Sequence, residues 1–400
     1  MKKTAYSGYQ AYGYLSSDEL GLPTLPPETE RVASTSLSLS PEEEKRVAGI
    51  LENEVIVSFH DHPTLWPSPW EPMIQYRRAG RDVMAYRGLS VSGMDGVFDG
   101  FSDGTGLIFS NHGWKWDEIV HDVGMRLCDL AHQEYVVVAL TGAAVRQAKA
   151  SGQLALILCT ESLTPIENEL DRLDVLYGFG LRCMGLVYSE SNALGSGLRE
   201  AKDGGLTSFG KKAVKRLNDL GVIIDVSHAS DQTCLDAISA SRSPVCITHA
   251  GARALWNTPR MKPDEVLLAC ARSGGVIGIE AAPHTTLTRD HRLHSIDSVM
   301  GHVEYCIELV GVEHVALGPD TFYGDHVAVH QMFSKVLSID ESHAGEEFEA
   351  VEFVDGMENP SEAMRNACRW LVKKGYSNDD IALVMGGNVL RVMDAVLDGE

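Results

Sequence analysis

The chain has 400 residues, 44% of them hydrophobic and 22% charged, which is enough apolar material to bury a large core and argues against extended disorder. It carries 56 acidic and 34 basic residues, a formal net charge of −22, so neither nucleic acid nor an anionic membrane is an expected partner. No run of about 18 apolar residues occurs, and no apolar signal-peptide region follows Met1-Lys2-Lys3. The eight cysteines form no CxxC pair, which predicts reduced thiols and a cytoplasmic location.

Residues 1–40 are polar and rich in proline, serine and threonine. We expect them to form an arm that lies on the surface or on a neighbouring subunit, an arrangement compatible with a homodimer. Ser40-Pro41-Glu42-Glu43 then combines an N-cap, a proline at the first helical position and acids in the first turn, so a helix is predicted over 41–53. Residues 41–400 are expected to form one folded unit.

Beyond that helix, short apolar segments alternate with helical ones. Strands are predicted at 54–59, 89–97, 154–160, 181–187, 222–226, 245–248, 275–279 and 314–317. Helices are predicted at 116–150, 166–176, 207–220, 231–240, 263–273 and 296–310, with two or three more over 360–396 as an appendage. Eight strands separated by mostly helical intervals predict an α/β fold, the (β/α)8 TIM barrel, with extra C-terminal helices and an N-terminal arm.

Polar side chains follow most of these strands at the point where each strand ends. They are His60, His62, Glu161, Tyr188, His228, His249 and Asp320. In a barrel all of them converge on the C-terminal face, where active sites of this fold lie. Taken singly, Glu161 could cap a helix and Asp320 could serve a turn. Four histidines and two acids at the same face are better explained by a metal site.

The residue types indicate which metal and what chemistry. His60 and His62 alternate along a strand and therefore point the same way, while Asp61 points away. Imidazole and carboxylate without thiolate suit zinc and similar divalent ions. The five candidate ligands His60, His62, Glu161, His228 and His249 suit two ions that share Glu161. Two ions about 3.5–4 Å apart can hold a nucleophilic hydroxide, and Asp320 can take its proton and pass it to a leaving amine.

Several longer stretches resemble the membrane dipeptidase (renal dipeptidase) family, the M19 metallopeptidases of the amidohydrolase superfamily. The similarity covers roughly 48–397 and is strongest in GLTSFGKKAVKRLNDLGVIIDVSHAS, SPVCITHAGARAL, HVEYCIELVGVEHVALGPD and GYSNDDIALVMGGNVLRVM. The resemblance implies a barrel with a two-metal, usually zinc, site that hydrolyses dipeptides, including some with a D-residue at the C-terminal position. It also implies that Glu161 bridges the ions, that Arg260 holds the substrate carboxylate and that Asp320 is the acid/base.

Three positions depart from the family pattern. His62 stands where the family has an aspartate, so the site loses a negative charge. Tyr188 stands where the family has a histidine that polarises the scissile carbonyl; a phenol can still donate one hydrogen bond to an oxyanion. Glu280 stands where an uncharged residue is more usual.

The sequence therefore predicts a metal-dependent hydrolase that cleaves the amide bond of a dipeptide or a dipeptide-like small molecule. Two alternatives stay open at this point. One is an enzyme of the same fold that acts on a non-peptide amide or another C–N or ester bond of a specialised metabolite. The other is a catalytically silent relative that only binds.

Overall fold

A parallel sheet wrapped by helices forms the body of the molecule. The computed structural model describes residues 5–35, 37–69, 71–102, 114–336, 345 and 347–398. Of the predicted N-terminal arm, residues 1–4 and 36 lie outside the described residues, and so do 70, 103–113, 337–344, 346, 399 and 400 of the rest.

All strands of the sheet run parallel, with the order β10-β1-β2-β4-β5-β6-β7-β8-β9 and β3 beside β4. Within the described ranges they are β1 Val57–Leu65, β2 Gly96–Ser102, β3 Val136–Val138, β4 Leu154–Thr160, β5 Leu181–Gly185, β6 Ile223–Asp225, β7 Val245–Ala250, β8 Ile277–Ile279, β9 Val315–Leu317 and β10 Phe322–Tyr323. The segment after β9 closes the ring on β1, because Asp320 N donates to the His60 carbonyl (3.0 Å) and His62 N to the Thr321 carbonyl (3.1 Å). The predicted (β/α)8 barrel is confirmed.

Helices surround this sheet and close one end of it. They are α1 Ser17–Leu20, α2 Pro41–Asn53, α3 Met73–Arg78, α4 Tyr86–Val91, α5 Trp116–Leu130, α6 Gly142–Ser151, α7 Arg172–Gly178, α8 Ser208–Leu220, α9 Asp231–Ala240, α10 Asp264–Arg272, α11 Ile296–Val310, α12 His326–Val336, α13 Pro360–Lys373, α14 Asn378–Ala382 and α15 Asn388–Met393. Short 3₁₀ turns occupy Thr164–Ile166 and Val312–His314, and π-helical turns Leu383–Gly387 and Asp394–Asp398. Crossing a membrane takes about 20 apolar residues, and none of the helices in the described ranges combines that length with that hydrophobicity.

Strand β4 shows how the sequence builds two cores. Leu154, Leu156 and Leu158 face the surrounding helices, whereas Ala155 and Ile157 face the barrel interior. Both faces are therefore buried, which is why this strand is apolar without alternation. The inward residues belong to a smaller cluster with the other strands.

The C-terminal helices are not the predicted appendage. Val389, Val392 and Met393 of α15 belong to the interior cluster, together with Val57 and Phe59 of β1. They therefore close the barrel at the end opposite the carboxyl ends of the strands. The barrel thus needs this segment for its own core.

Three predicted elements are wrong in position. The predicted strand at 89–97 overlaps the last three residues of helix α4, which ends before Gly93 (φ 78°), and the strand itself is shifted to Gly96–Ser102. The predicted helix at 116–150 is interrupted by β3, whose three valines favour extended structure. Thr141 then caps the new helix α6 through its side chain. The predicted helix at 166–176 is a 3₁₀ turn followed by α7.

The N-terminal segment packs on its own chain. Tyr12 is buried, and its backbone N–H donates to Asp129 Oδ1 of α5 (2.6 Å). The Tyr9 and Tyr86 hydroxyls donate to the same carboxylate, each at 2.7 Å. A boundary between arm and barrel at residue 40 stays a prediction.

Candidate metal centre

Strand β1 presents His60 and His62 on one face, the β1 pair. Both imidazoles are buried, and their Nε2 atoms lie 3.7 and 3.4 Å from Glu161 Oε1. Asp61 points the other way, where its Oδ1 accepts hydrogen bonds from the Thr321 backbone N–H and hydroxyl, both at 2.9 Å. The histidines lie within the strand rather than after it, because β1 runs on to Leu65.

Gly100 of β2 makes room for the β1 pair. A Cβ at this position would lie 2.8 Å from His60 Cε1 and 3.0 Å from His62 Cε1, closer than real Cβ atoms approach in the first case. The Gly100 carbonyl accepts a hydrogen bond from His62 Nδ1 at 3.0 Å. The sequence reasoning missed this residue, although a glycine inside a strand often marks such a close approach.

His228, after β6, and His249, in β7, form the β6–β7 pair. Their Nε2 atoms are 3.0 Å apart and lie 3.1 and 3.9 Å from Glu161 Oε2. The Nδ1 atom of each ring forms a hydrogen bond with a hydroxyl group. Ser189 Oγ lies 3.3 Å from His228 Nδ1, and Thr248 Oγ1 lies 2.8 Å from His249 Nδ1. The orientation of the His228 and His249 rings is therefore set by these serine and threonine hydroxyls.

A buried network behind the β6–β7 pair was also missed from the sequence. Asp225 Oδ1 accepts hydrogen bonds from the backbone N–H groups of Ser227 (3.0 Å) and Thr248 (2.9 Å). The Ser227 hydroxyl donates to Asp225 and accepts from His249 N at 3.1 Å. These bonds join β6 to β7 and fix the backbone that carries His249.

Glu161, directly after β4, lies between the two pairs. Its Oε1 faces the β1 pair and its Oε2 the β6–β7 pair, so two groups of three possible ligands share this carboxylate. Burial raises the pKa of Glu161. The bridging position expected for it is geometrically available.

Asp320 approaches the β1 pair from the end of the barrel. Its Oδ1 lies 2.9 Å from His62 Nε2 and 3.6 Å from His60 Nε2, and its backbone is left-handed (φ 57°). Burial alone would raise the pKa of Asp320, but the hydrogen bond from His62 and the charges of both histidines lower it overall. The carboxyl group is therefore held ionised next to the candidate ligands.

Burial and charge act differently on the two pairs. Burial lowers the pKa of His60, but the nearby Glu161 and Asp320 carboxylates more than offset this, and the net direction is upward. The pKa of His249 falls well below its ordinary value, first through burial and then through neighbouring histidines and Arg260.

Arg260 and Tyr188 border the cluster. The Arg260 guanidinium is buried, donates to the Ser227 and His249 carbonyls and pairs with Glu280. Burial raises the pKa of Glu280 to about 7, against the opposing charge of Arg260. Tyr188 is half-buried, and its ring stacks on His228 with centroids 4.0 Å apart.

The donor set fits a cation. The Gly100 carbonyl can only accept, so His62 Nδ1 carries a proton, and the His62 Nε2 lone pair then faces the carboxylates of Asp320 and Glu161. Such an arrangement needs a positive charge, either a second proton on the imidazole or a metal ion. His60 Nε2 and Glu161 Oε1 are moreover buried without a hydrogen-bond partner in the described part of the chain. Buried polar atoms left in this way call for a ligand.

Sequence comparison identifies the relatives. The sequence profile of the membrane dipeptidase family (Peptidase family M19) matches residues 121–339, more than half of the chain. The chain belongs to this family. It is 27% identical over 295 residues to the dipeptidase aclJ of Aspergillus oryzae, covering 70% of this chain and 62% of that protein. It is 28% identical over 250 residues to the dipeptidase tcpJ of Claviceps purpurea, covering 62% of this chain and 52% of that protein.

Structural comparison supports the same architecture. The structure of an amidohydrolase from Pseudomonas aeruginosa superposes with a TM-score of 0.71 at 22% sequence identity, covering 88% of this chain and 99% of that one. At this identity the likeness establishes the barrel fold. Since the matched regions span only about half to three-fifths of the two dipeptidases, the activity of this chain has to be argued from its own site.

Proposed function

We propose that this chain is a metal-dependent hydrolase that cleaves the amide bond of a dipeptide or a dipeptide-like small molecule. The observation that carries the proposal is that the β1 pair lies beside one oxygen of Glu161 and the β6–β7 pair beside the other. The family membership and the dipeptidase names of the two fungal relatives support the reaction class.

The β1 pair, the β6–β7 pair and Glu161 are the residues that would hold two divalent ions. Zinc is the proposed metal, because the set contains imidazole and carboxylate but no thiolate. Bound ions of this kind supply Lewis acidity and a water of lowered pKa.

The remaining roles fall to residues around the cluster. Asp320 would accept a proton from the attacking water and pass it to the leaving amine, a task suited to a carboxylate beside the ligands and partly open to solvent. Tyr188, stacked on His228, would donate a hydrogen bond to the carbonyl oxygen of the scissile amide as negative charge develops there. Arg260 would hold the far end of the substrate.

The setting of the enzyme is part of the proposal. All eight cysteines are free and seven of them are buried, which supports a reducing, cytoplasmic environment. We also propose that residues 41–400 form the catalytic unit and that the N-terminal arm is accessory to it. A homodimer stays an expectation.

The test is metal content by mass spectrometry on freshly purified protein, measured beside hydrolysis of L,L and L,D dipeptides. Near two ions per chain with release of free amino acids is the expected result. Bound metal without turnover of any dipeptide would instead favour a non-peptide amide as the substrate. A folded protein that binds no metal would contradict the proposal outright.

A further inference from the structure

The Arg260 guanidinium is already bound by the protein at the site. Its Nη1 donates to the Ser227 carbonyl (3.2 Å), and its Nη2 donates to the His249 carbonyl (3.1 Å) and to Glu280 Oε2. An arginine has five N–H donors, so these three bonds leave two for a ligand. Arg260 can therefore still donate to a substrate oxygen, but its positive charge already faces the carboxyl group of Glu280.

Glu280 can supply a hydrogen-bond acceptor beside the donors of Arg260. Its Oε2 accepts from Arg260, whereas its Oε1 is buried and makes no hydrogen bond of good geometry within the described residues, although the Thr285 side chain lies near enough to the carboxyl group to lower its pKa. A buried acceptor without a partner is costly, and a ligand N–H would satisfy it. Glu280 is tied to the candidate metal centre through Arg260, whose Nη2 donates both to Glu280 and to the carbonyl of the candidate ligand His249.

We propose that Glu280 determines the substrate class: the end of the substrate that meets Arg260 is an uncharged carboxamide rather than a free carboxylate. This inference rests on the proposed function. Arg260 donates to the carboxamide oxygen, and Glu280 Oε1 accepts from its N–H. When Glu280 is ionised, a substrate carboxylate would instead put two negative groups on one guanidinium in a site shielded from water, where like charges repel strongly.

The experiment compares L-alanyl-alanine with L-alanyl-alaninamide, in both L,L and L,D forms, as substrates of the metal-loaded protein. Mass spectrometry of the products confirms that the internal amide is the bond cleaved. The wild-type protein should favour the amide-terminated substrate at least tenfold in kcat/KM. Glu280→Gln removes the competing negative charge and should shift this ratio at least tenfold toward the free acid.

Glu265→Gln is the matched control. Glu265 is exposed in the first turn of α10, on the outside of the barrel, and its substitution removes the same charge. The ratio should stay at the wild-type value in this variant. A change as large as that in Glu280→Gln would mean that overall charge, not Glu280, sets the preference, and would overturn the inference.

Three further results decide the matter. A wild-type preference for the free acid overturns the inference whatever the variants do, so the test survives a Glu280→Gln protein that fails to fold. An unchanged ratio in a folded, metal-bearing Glu280→Gln protein also overturns it. If neither substrate is cleaved, the proposed function fails; the rise in unfolding temperature on adding alaninamide, compared with alanine, then decides the inference separately.

Discussion

The two histidine pairs are held by different means. The β1 pair lies against carboxylates and a backbone carbonyl: Asp320 Oδ1 is 2.9 Å and Gly100 O is 3.0 Å from the ring nitrogens of His62. The β6–β7 pair lies against the hydroxyls of Ser189 and Thr248 instead.

The two histidine pairs therefore differ in what their neighbours contribute: negative charge at the β1 pair, and ring orientation at the β6–β7 pair. The carboxylates beside the β1 pair attract positive charge, as the raised pKa of His60 reflects, whereas the lowered pKa of His249 leaves it neutral and ready to act as a ligand. The family resemblance led us to expect an aspartate at position 62, which would bring a negative charge to this side of the centre. Asp320, whose Oδ1 lies beside His62, supplies a negative charge there instead. We therefore expect metal affinity at the β1 pair to depend on nearby charge, and metal affinity at the β6–β7 pair to depend on how the imidazole rings are oriented.

Glu161→Gln should have the largest effect, because both pairs share this residue. The amide keeps the volume but removes the charge and one acceptor, so we expect loss of at least one ion per chain. Activity should fall by more than the roughly 10²–10³-fold that loss of one oxyanion donor costs. Metal analysis and dipeptide turnover measure the two effects, and an undiminished rate would contradict the bridging role.

Asp320→Asn should come next and should act through the β1 pair. The asparagine cannot accept a proton, so kcat should fall roughly 10²–10⁴-fold. One negative charge is also lost near His62, so the ion at the β1 pair should bind more weakly than the ion at the β6–β7 pair. Titration with a chelator while metal content is followed would reveal the order of release. Loss of activity with both ions retained at full affinity would restrict Asp320 to proton transfer.

The sequence predicted the barrel because its short apolar strands recur at regular intervals, and it indicated the candidate ligands because their polar side chains interrupt or follow those apolar runs. It placed β1 too short, since His60, Asp61 and His62 interrupt the apolar run although the strand continues. Gly100 and the Asp225–Ser227 network could not be derived, because their roles depend on which strands are neighbours and in what register. The C-terminal helices were misjudged for the same reason: nothing local in the sequence indicates that Val389 enters the barrel interior.

Gly100→Ala should disturb the β1 pair selectively. The added methyl would meet His60 and His62 at 2.8–3.0 Å, so one or both rings must move. A displaced ligand pair should cost about 10–100-fold in metal affinity on that side. Gly124→Ala in α5 is the control, since a Cβ there meets no atom within 4 Å. Equal metal affinity in the two variants would contradict the prediction, because it would show that displacing the rings of the β1 pair does not weaken metal binding.

Thr248→Val should have the smallest effect and tests the β6–β7 pair. Valine keeps the shape of threonine but cannot hold His249 Nδ1, which lies 2.8 Å from the Thr248 hydroxyl. We expect about a tenfold loss of metal affinity, at the low end for residues that orient a ligand. Thr248→Ser restores the hydroxyl and should recover most of the affinity.

Because His249 is neutral by burial whether or not the hydroxyl is present, the loss should come from ring orientation alone and should vary little with salt concentration. The loss in Asp320→Asn, which removes a charge, should shrink as salt rises. The same salt dependence in both variants would remove the distinction between the two pairs.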